Sequence, residues 1–519
     1  MNLYQMFLYA VARFPDQQAL AQGKKRYTYS ELAIEVNRVA SALQKLGLKP
    51  RDRVMVLLKN RIETVVIFWA VQQLGAVFAP INLRSSIEEI LYCVNDLETR
   101  FIVFESASKH LIMKQKFSDR PLFIGLEHGL GDINYAELVD SGNADVRPYP
   151  VSDDDLAVIL YTSGTSGKPK GVPRTHHNEY ASTLAHIIQS HYQLYDRTLG
   201  MPALSHTIGL RSLLAMTFLN GTYIPLQDFD YEKALSTITE ENISCLFFTP
   251  TMYHDLVMHP KARETDFSKI TSIVYSGSQM SEELIQKCDA IMRPQYFVNH
   301  YGSTEIFTFC YFQDVRKKPG CAGKPGIHQH IRLLKTDLDQ KTMPFANMEK
   351  GEIGEVVVDM ISAEAFKGYW NRPDATRKAI KQGWYFTGDL GYIDDDSDLH
   401  VVGRVDDMIL SGGENIYPQE VESVLIEHPL VHEAVVIGED DTRWGQIVTA
   451  FIVLQDSELT PQALDQFCKT HKQLANYKRP RKYVFIEKVP KNSAGKVLRR
   501  ELRYGNYTEL ALREGEFPW

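Results

Sequence analysis

The sequence predicts an α/β protein in which helices pack on mostly parallel strands. The main observation is that short apolar runs alternate with helical patterns through the first 300 residues. Such alternation is typical of β–α–β units, whose parallel strands are joined by crossover helices. After about residue 350 the pattern changes, and two strand-like runs indicate a smaller antiparallel sheet. From residue 404 to the end the pattern is again compact and of the α+β type.

The individual elements follow from the apolar patterns in chain order. The amino terminus is predicted to be an amphipathic helix that ends near Pro15. Residues 64–81 are the most membrane-like stretch, but Gly75 and Pro80 favour a buried helix followed by a strand over a membrane span. The predicted strands are 54–58, 76–79, 101–104, 156–160, 245–248, 273–276, 296–299, 354–359, 399–403 and 434–438, and the predicted helices are 63–74, 417–428 and one that begins at Ser281.

Length and charge set limits on the class of protein. A chain of 519 residues is too long for one hydrophobic core, because single cores stop growing at about 250–300 residues. The change of pattern near residues 403–407 predicts two domains, 1–405 and 406–519. The net charge of −8 argues against a general nucleic-acid binder.

The cysteines and the amino terminus predict a cytoplasmic protein. The six cysteines are scattered, and none forms a C-x-x-C pair, so neither a disulfide framework nor a zinc site is indicated. Reduced thiols are expected. The first residues lack the positive charge with which a signal peptide begins.

The most informative segment is residues 161–172, which follow the apolar run 156–160. Glycines allow the backbone to approach an anion closely, while hydroxyl groups and lysines bind and neutralise phosphate. The segment is not a Walker A motif, because Lys168 is followed by Pro169. We therefore predict a polyphosphate-binding loop formed by Thr162, Ser163, Gly164, Thr165, Ser166, Gly167, Lys168 and Lys170.

Four further motifs follow in order along the chain. Residues 301–305 (YGSTE) combine an aromatic ring, hydroxyl groups and a carboxylate, which suit a base, a phosphate and a hard cation such as Mg²⁺. Residues 383–391 contain Asp389, an acceptor for ribose hydroxyl groups. Residues 403–422 have the pattern of a strand, a hinge, a glycine turn and a helix opened by Pro418. Residues 490–500 place Lys496 before a basic helix.

Together these motifs resemble the adenylate-forming superfamily, which comprises acyl- and aryl-CoA synthetases, adenylation domains of nonribosomal peptide synthetases and luciferases. The carboxy-terminal stretch is most similar to aryl-CoA ligases of the 4-chlorobenzoate–CoA ligase type. The resemblance covers nearly the whole chain, although residues 1–150 carry no decisive motif. It implies a large amino-terminal domain of layered α/β subdomains with a small β-barrel-like sheet, followed by a small mobile α+β domain.

The resemblance also implies roles for individual residues in ATP binding and adenylation. Thr304 and Glu305 would bind ATP and Mg²⁺, with Glu305 as the metal ligand, and Tyr301 would stack on adenine. Asp389 would bind the ribose with Arg404 nearby, and Ser276, Gly277 and Ser278 would form a wall of the adenine pocket. Lys496 would bridge the acid carboxylate and the α-phosphate, where it would stabilise the developing charge.

The resemblance also assigns residues to the second step of the family's reaction, in which a thiol takes up the acyl group, and to the acid pocket. Asp406 falls at the family's hinge position, and Gly413 belongs to the loop that lines the thiol tunnel. The predicted coenzyme A contacts are Trp444, Tyr477 and Arg479, and the predicted acid pocket consists of His206, Thr207, Ile208, Phe248, Gly277 and Phe307. At position 207, amino-acid-activating members have Asp and salicylate-type activators have Asn, so Thr207 disfavours both substrate classes. His206 stands where the family has a gate, and a buried structural histidine is the alternative.

The sequence therefore predicts an ATP-dependent acid–CoA ligase that uses ATP, Mg²⁺ and coenzyme A. A benzoate-like or medium-chain monocarboxylic acid is the expected substrate, with no nucleic-acid partner and no membrane span. One alternative is a stand-alone enzyme that loads a carrier protein, and another is a non-catalytic nucleotide-binding protein. The oligomeric state, a homodimer included, stays open at this point.

Overall fold

Helices and strands alternate along most of the chain. The computed structural model describes them over residues 1–117, 119–143, 146–162, 168–335, 349–455, 459–491, 497–510 and 515–516. The chain divides into two compact units, Met1–Ile331 with Val358–Tyr385, and Arg332–Val357 with Phe386–Trp519. The predicted α/β fold class is confirmed, and the boundary at 405/406 stays a prediction.

The helices start where the local sequence can cap them. Ser281, at the predicted start of one helix, accepts a hydrogen bond from Leu284 N, and Pro418 occupies the first turn of another. The α-helices of the described residues are α1 (Leu3–Arg13), α2 (Tyr29–Lys45), α3 (Ile62–Gln73), α4 (Ile87–Leu97), α5 (Lys109–Ile112), α6 (Tyr135–Ser141), α7 (His176–Gln189), α8 (Thr207–Phe218), α9 (Tyr231–Glu240), α10 (Pro250–Met258), α11 (Glu282–Met292), α12 (Pro373–Ala379), α13 (Pro418–Ile426), α14 (Pro461–Thr470) and α15 (Arg499–Arg503).

The strands follow the apolar runs. They are β1 (Gln18–Gln22), β2 (Lys25–Thr28), β3 (Arg53–Leu57), β4 (Val77–Pro80), β5 (Phe101–Phe104), β6 (Leu122–Gly125), β7 (Ile133–Asn134), β8 (Leu156–Thr162), β9 (Lys170–Thr175), β10 (Arg197–Gly200), β11 (Thr222–Pro225), β12 (Cys245–Phe248), β13 (Ser272–Ser276), β14 (Tyr296–Tyr301), β15 (Cys310–Phe312), β16 (Cys321–Pro325), β17 (Ile331–Leu334), β18 (Gly354–Asp359), β19 (Ile380–Lys381), β20 (Trp384–Ile393), β21 (Leu399–Arg404), β22 (Ile409–Ser411), β23 (Glu414–Ile416), β24 (Val431–Asp441), β25 (Gly445–Leu454), β26 (Lys482–Phe485) and β27 (Gly515–Glu516).

Two sheets form the framework of the first unit. One has the order β7-β6-β5-β3-β4-β8-β9 and is parallel except for the β8–β9 hairpin. The other has the order β16-β15-β14-β13-β12-β10-β11-β1-β2, with parallel pairing from β14 to β1. Helices connect most of the parallel strands of both sheets, so the predicted β–α–β architecture is confirmed.

The second unit contains two smaller sheets. In one, β17, β18, β20 and β21 are successive neighbours, and β20 pairs antiparallel with β21. In the other the order is β23-β22-β25-β26-β27, with β24 paired to β25. Strand β24 is longer than the predicted 434–438, because backbone pairing with β25 continues beyond the apolar run to Asp441.

In the part of the chain that the structure describes, every helix is too short or too polar to span a lipid bilayer. The stretch around residues 64–81 forms α3 and β4, as predicted, and both elements are largely buried.

A titratable pair in the first unit joins a buried carboxylate to a partly exposed histidine. The buried Glu364 carboxylate accepts a hydrogen bond from Thr308 N at 3.2 Å. His328 Nδ1 lies 3.4 Å from Glu364 Oε1, and this carboxylate raises the pKa of His328. The folded protein therefore binds a proton at His328 more tightly than the unfolded chain does.

We expect His328→Gln to reduce stability more at low pH than at high pH. A raised folded-state pKa contributes stability that is fully present below the unfolded value of about 6.5 and is lost as the pH rises through the folded pKa. Urea unfolding midpoints at about pH 5.5 and pH 8.5 measure the difference between wild type and variant. His110→Gln, at an exposed histidine, is the control. An equal loss at both pH values would contradict the assignment.

Candidate active site

The predicted phosphate loop connects two antiparallel strands of the first unit. Strand β8 ends at Thr162 and β9 begins at Lys170, which are paired in the hairpin register. Ser163, Gly164, Thr165, Ser166 and Gly167 lie outside the described residues. Lys168 Nζ is 5.6 Å from the ring centroid of Tyr92, and Lys170 Nζ is 4.9 Å from that of Tyr369. The two predicted phosphate-binding lysines thus rest against aromatic rings.

The YGSTE segment forms a tight turn directly after β14. Ser303 N donates to Ile306 O at 3.0 Å, and Ser303 Oγ accepts hydrogen bonds from Glu305 N and Ile306 N. A Cβ atom on Gly302 would lie 1.9 Å from Phe307 O, so only glycine fits there. The turn brings the predicted ATP-binding residues close to the predicted acid-pocket residue Phe307.

Glu305 is held from two sides. Its carboxylate is largely buried, and Oε1 accepts a 2.6 Å hydrogen bond from the Tyr369 hydroxyl. Its backbone oxygen accepts one from Arg174 Nη1 at 2.9 Å. Because Lys170 lies over the ring of Tyr369, this tyrosine connects a predicted phosphate ligand with the predicted metal ligand. Nothing in the sequence singled out Tyr369 or Arg174.

The predicted adenine wall follows β13. Ser276 ends this strand opposite His300 of β14, and Gly277 has φ of 97°, which favours glycine. Gly277 and Ser278 are exposed. Since β13 and β14 are parallel, their carboxyl ends place Ser276 and Tyr301 at the same edge of the sheet, where open α/β sheets bind ligands.

His206 caps the helix that carries two other predicted pocket residues. It precedes α8, and its Nδ1 accepts a hydrogen bond from Ile208 N at 3.3 Å. Burial lowers the pKa of His206. A neutral imidazole with Nδ1 as acceptor carries its proton on Nε2, so His206 can act as a neutral donor.

The remaining pocket residues belong to an aromatic region of the core. Phe248 ends β12 and is fully buried. The Phe307 ring lies 6.1 Å from Phe247, 5.7 Å from His186 and 6.0 Å from His300. Burial lowers the pKa of both histidines. The two imidazoles were missed by sequence reasoning, because neither belongs to a motif.

In the second unit the predicted ribose ligand and its predicted neighbour are in direct contact. Asp389 and Arg404 are register partners in β20 and β21, and Arg404 Nη1 donates to Asp389 Oδ1 at 2.6 Å. Gly388 has φ of 72°, and a Cβ atom there would lie 3.0 Å from Arg404 Nη2. The glycine beside Asp389 therefore makes room for the guanidinium group.

The predicted hinge and thiol-tunnel residues follow β21. Asp406 is exposed within the short turn Val405–Asp407. Gly412 and Gly413 both have positive φ in the β22–β23 turn. Gly412 N donates to Trp444 O at 2.8 Å, and a Cβ atom on Gly412 would lie 2.7 Å from the indole. The structure thus brings the predicted tunnel loop and the predicted coenzyme A contact Trp444 together.

The other predicted coenzyme A contacts differ in accessibility. Tyr477 is 41% exposed, as a stacking residue must be. Arg479 is buried and forms an ion pair with Asp465, and its Nε donates to Asn476 Oδ1 at 3.2 Å. Asp465 pairs with both this guanidinium group and Lys469, so the coenzyme A role of Arg479 stays a prediction without support from the contacts.

Lys496 lies outside the described residues. Its flanking residues Lys491 and Val497 pair as a β-bridge. The role of Lys496, like the roles of the other site residues, stays a prediction.

Comparison with known proteins identifies the family. Residues 7–370 match the model of the AMP-binding enzymes, and residues 420–496 match that of the AMP-binding enzyme C-terminal domain. The chain therefore belongs to the AMP-binding enzymes of the adenylate-forming superfamily, which confirms the resemblance seen in the motifs.

Curated relatives and solved structures extend over almost the whole chain. The long-chain-fatty-acid–CoA ligase FadD13 of Mycobacterium tuberculosis is 34% identical over 483 residues, which cover 92% of this chain and 93% of the relative. The 4-chlorobenzoate–CoA ligase of Arthrobacter sp. is 31% identical over 507 residues, which cover 96% and 94%.

Among solved structures, the o-succinylbenzoate CoA synthetase of Bacillus subtilis in complex with its acyl-adenylate intermediate has a TM-score of 0.84 and 29% identity, with 100% of this chain and 99% of that chain covered. The same enzyme has also been solved in complex with ATP and magnesium ion.

We expect Tyr369→Phe to raise the Mg²⁺ concentration needed for half-maximal activity by about 10–100-fold, because the hydroxyl group orients the Glu305 carboxylate. The measurement is pyrophosphate release titrated with Mg²⁺ at saturating ATP. Tyr223→Phe is the control, since this buried hydroxyl has no hydrogen-bond partner among the described residues. An unchanged Mg²⁺ dependence in Tyr369→Phe would show that the hydrogen bond does not orient a metal ligand.

Proposed function

We propose that this protein is an ATP-dependent, AMP-forming acid–CoA ligase. Membership of the AMP-binding enzymes supports the reaction class, and the relatives are ligases that join different acids to coenzyme A. The structural observation that carries the proposal is the YGSTE turn, which holds the buried Glu305 carboxylate next to Phe307 at the carboxyl edge of the parallel sheet.

The reaction consists of two transfers. In the first, the acid carboxylate oxygen attacks the α-phosphorus of ATP, and pyrophosphate leaves. In the second, the thiolate of coenzyme A attacks the acyl carbon, and AMP leaves with the electron pair of the broken carbon–oxygen bond. The first transfer converts a carboxylate, which is a poor electrophile, into a mixed anhydride with a good leaving group.

Glu305 and Thr304 fit a magnesium ion. A carboxylate and a hydroxyl oxygen are hard ligands of the type that Mg²⁺ prefers. Tyr369 occupies Oε1 of Glu305, and among the described residues Oε2 has no hydrogen-bond donor, so it remains for a cation. When bound, the ion would neutralise charge on the phosphates of ATP.

The acid is proposed to be a benzoate-like or medium-chain monocarboxylic acid. Ile208, Phe248 and Phe307 supply apolar surface, and Thr207 offers no carboxylate for the ammonium group of an amino acid. His206 would donate from Nε2 as a neutral group, which avoids an additional buried charge.

The proposal is tested by measuring pyrophosphate and AMP release with a panel of acids, in the presence and absence of coenzyme A. We expect turnover that requires coenzyme A and is highest with benzoates that lack a 2-hydroxyl group or with medium-chain fatty acids, while amino acids and salicylate stay near background. Pyrophosphate release without sustained turnover on coenzyme A would indicate a carrier-protein acceptor. No release with any acid would refute the ligase.

We expect Lys496→Ala to lower the rate of adenylate formation by about two to three orders of magnitude, because it removes one stabilising contact to the transition state. Thioester formation from supplied acyl adenylate should be largely retained. Lys491→Ala is the matched control, since this nearby lysine is paired with Glu433.

We expect Asp406→Pro to have the opposite effect, because proline restricts the backbone at the predicted hinge. Adenylate formation should continue while thioester formation is lost, and Asp406→Ala, which keeps the backbone free, should retain both. Equal loss of both steps in Lys496→Ala and Asp406→Pro would contradict the prediction that adenylate formation and thioester formation need different conformations of the hinge.

A further inference from the structure

A buried carboxylate of the first unit lies between two buried arginines. Arg174 Nε donates to Glu179 Oε1 at 2.7 Å, and Arg211 Nη2 donates to Glu179 Oε2 at 2.8 Å. The side chains of all three residues are 1% exposed. We call Arg174, Glu179 and Arg211 the buried triad.

One end of the buried triad holds the segment that carries the predicted metal ligand. Arg174 Nη1 donates to the backbone oxygen of Glu305 at 2.9 Å and to that of Glu364 at 2.6 Å, while Nη2 donates to Ser182 Oγ at 2.9 Å. The guanidinium group therefore fixes the backbone of residue 305, and Tyr369 fixes its carboxylate.

The other end holds the predicted acid pocket. Arg211 lies on α8, one turn after Thr207 and Ile208, and its guanidinium carbon is 4.6 Å from the ring centroid of Phe307. Its Nη1 donates to Glu179 O at 2.8 Å and to Thr183 Oγ1 at 2.6 Å. Arg211 thus connects helix α8 with the ring of Phe307.

This arrangement is unfavourable unless each charge stays paired. Burial alone would raise the pKa of Glu179, but the charges of Arg211 and Arg174 outweigh it and leave the pKa lowered, so the carboxylate is ionised. Buried ion pairs can often be replaced by apolar residues without loss of stability. What apolar residues cannot supply is a set of directed hydrogen bonds to one backbone segment and one helix.

We propose that the buried triad positions the Glu305 turn and helix α8 against each other, so that the acid carboxylate and ATP meet in reactive alignment. The inference rests on the proposed ligase function. All three are positioning residues, since they are buried and act through Glu305 and Phe307. The reaction is sensitive to such alignment, because a displacement of about 1 Å can cost about 100-fold in rate.

The test compares Arg211→Met with Arg174→Met in the full-length protein. Each variant leaves Glu179 one arginine partner. We expect Arg211→Met to raise KM for the acid by about tenfold while the Mg²⁺ activation constant changes by less than about twofold. Arg174→Met should show the reverse, with a raised Mg²⁺ constant and a nearly unchanged KM for the acid.

Further variants separate positioning from simple loss of stability. Arg211→Lys and Arg174→Lys keep the charge with fewer directed bonds, so each should restore part of the affected constant. Thr217→Val is the control, because within the described part of the chain its hydroxyl group bonds only to Leu213 O, near the end of α8. If either Met variant fails to fold, its Lys variant replaces it in the comparison of the two constants.

The proposal is overturned if both arginine variants change the two constants equally, or if they lower only the active fraction and the melting temperature. If the wild-type protein fails to release pyrophosphate with any acid of the panel, the ligase function is refuted instead. The role of the buried triad is then refuted with it.

Discussion

The parallel register of β12, β13 and β14 is the constraint on which the first unit depends. Phe248 lies opposite Tyr275, and Ser276 opposite His300, so the chain leaves all three strands at the same edge. Parallel strands require crossover connections, which here place helices on the sheet and free the strand ends for binding. The predicted adenine wall, the YGSTE turn and part of the predicted acid pocket are therefore neighbours because of sheet topology, although about 60 residues separate Phe248 from Phe307 in the chain.

The core of the first unit contains charged side chains, which are seldom fully buried in proteins unless they are paired. Glu179 and Glu364 are both buried, and so are the arginines that contact Glu179. Two carboxylates and two guanidinium groups balance in charge, which limits the cost of burial. Their hydrogen bonds to other residues end on backbone groups and on the hydroxyl groups of Ser182 and Thr183 rather than in solvent. The turn that carries Glu305 is thus held by directed bonds, whereas apolar packing alone would leave its backbone groups unpaired.

Much of the fold could be predicted from the sequence, because apolar runs of four to seven residues mark the buried parallel strands. The ends of the strands were harder to predict from the sequence. Strand β24 continues past its apolar run, since pairing with β25 satisfies polar residues such as Glu439. Candidate site residues could be named where a motif is contiguous, as in the YGSTE turn and the Asp389 segment, and their roles stay predictions. Glu179 and Arg211 could not be predicted from the sequence, because they lie 32 residues apart in stretches that form the ordinary helices α7 and α8. Only folding reveals that they share one hydrogen-bonded cluster.

The residues predicted to bind the acid lie in the first unit, and those predicted to contact coenzyme A lie in the second. In the first unit, the buried triad ties Phe307 and helix α8 to the Glu305 turn, so we expect a change in the predicted acid pocket to affect the predicted ATP-binding residues too. In the second unit, Trp444 is packed against Gly412, and Tyr477 is exposed. Relatives that join a fatty acid or a chlorobenzoate to the same acceptor are about one-third identical to this chain over nearly its full length. A shared acceptor with different acids is what this division of the predicted residues allows, since residues near Phe307 can vary without altering the residues proposed to meet coenzyme A.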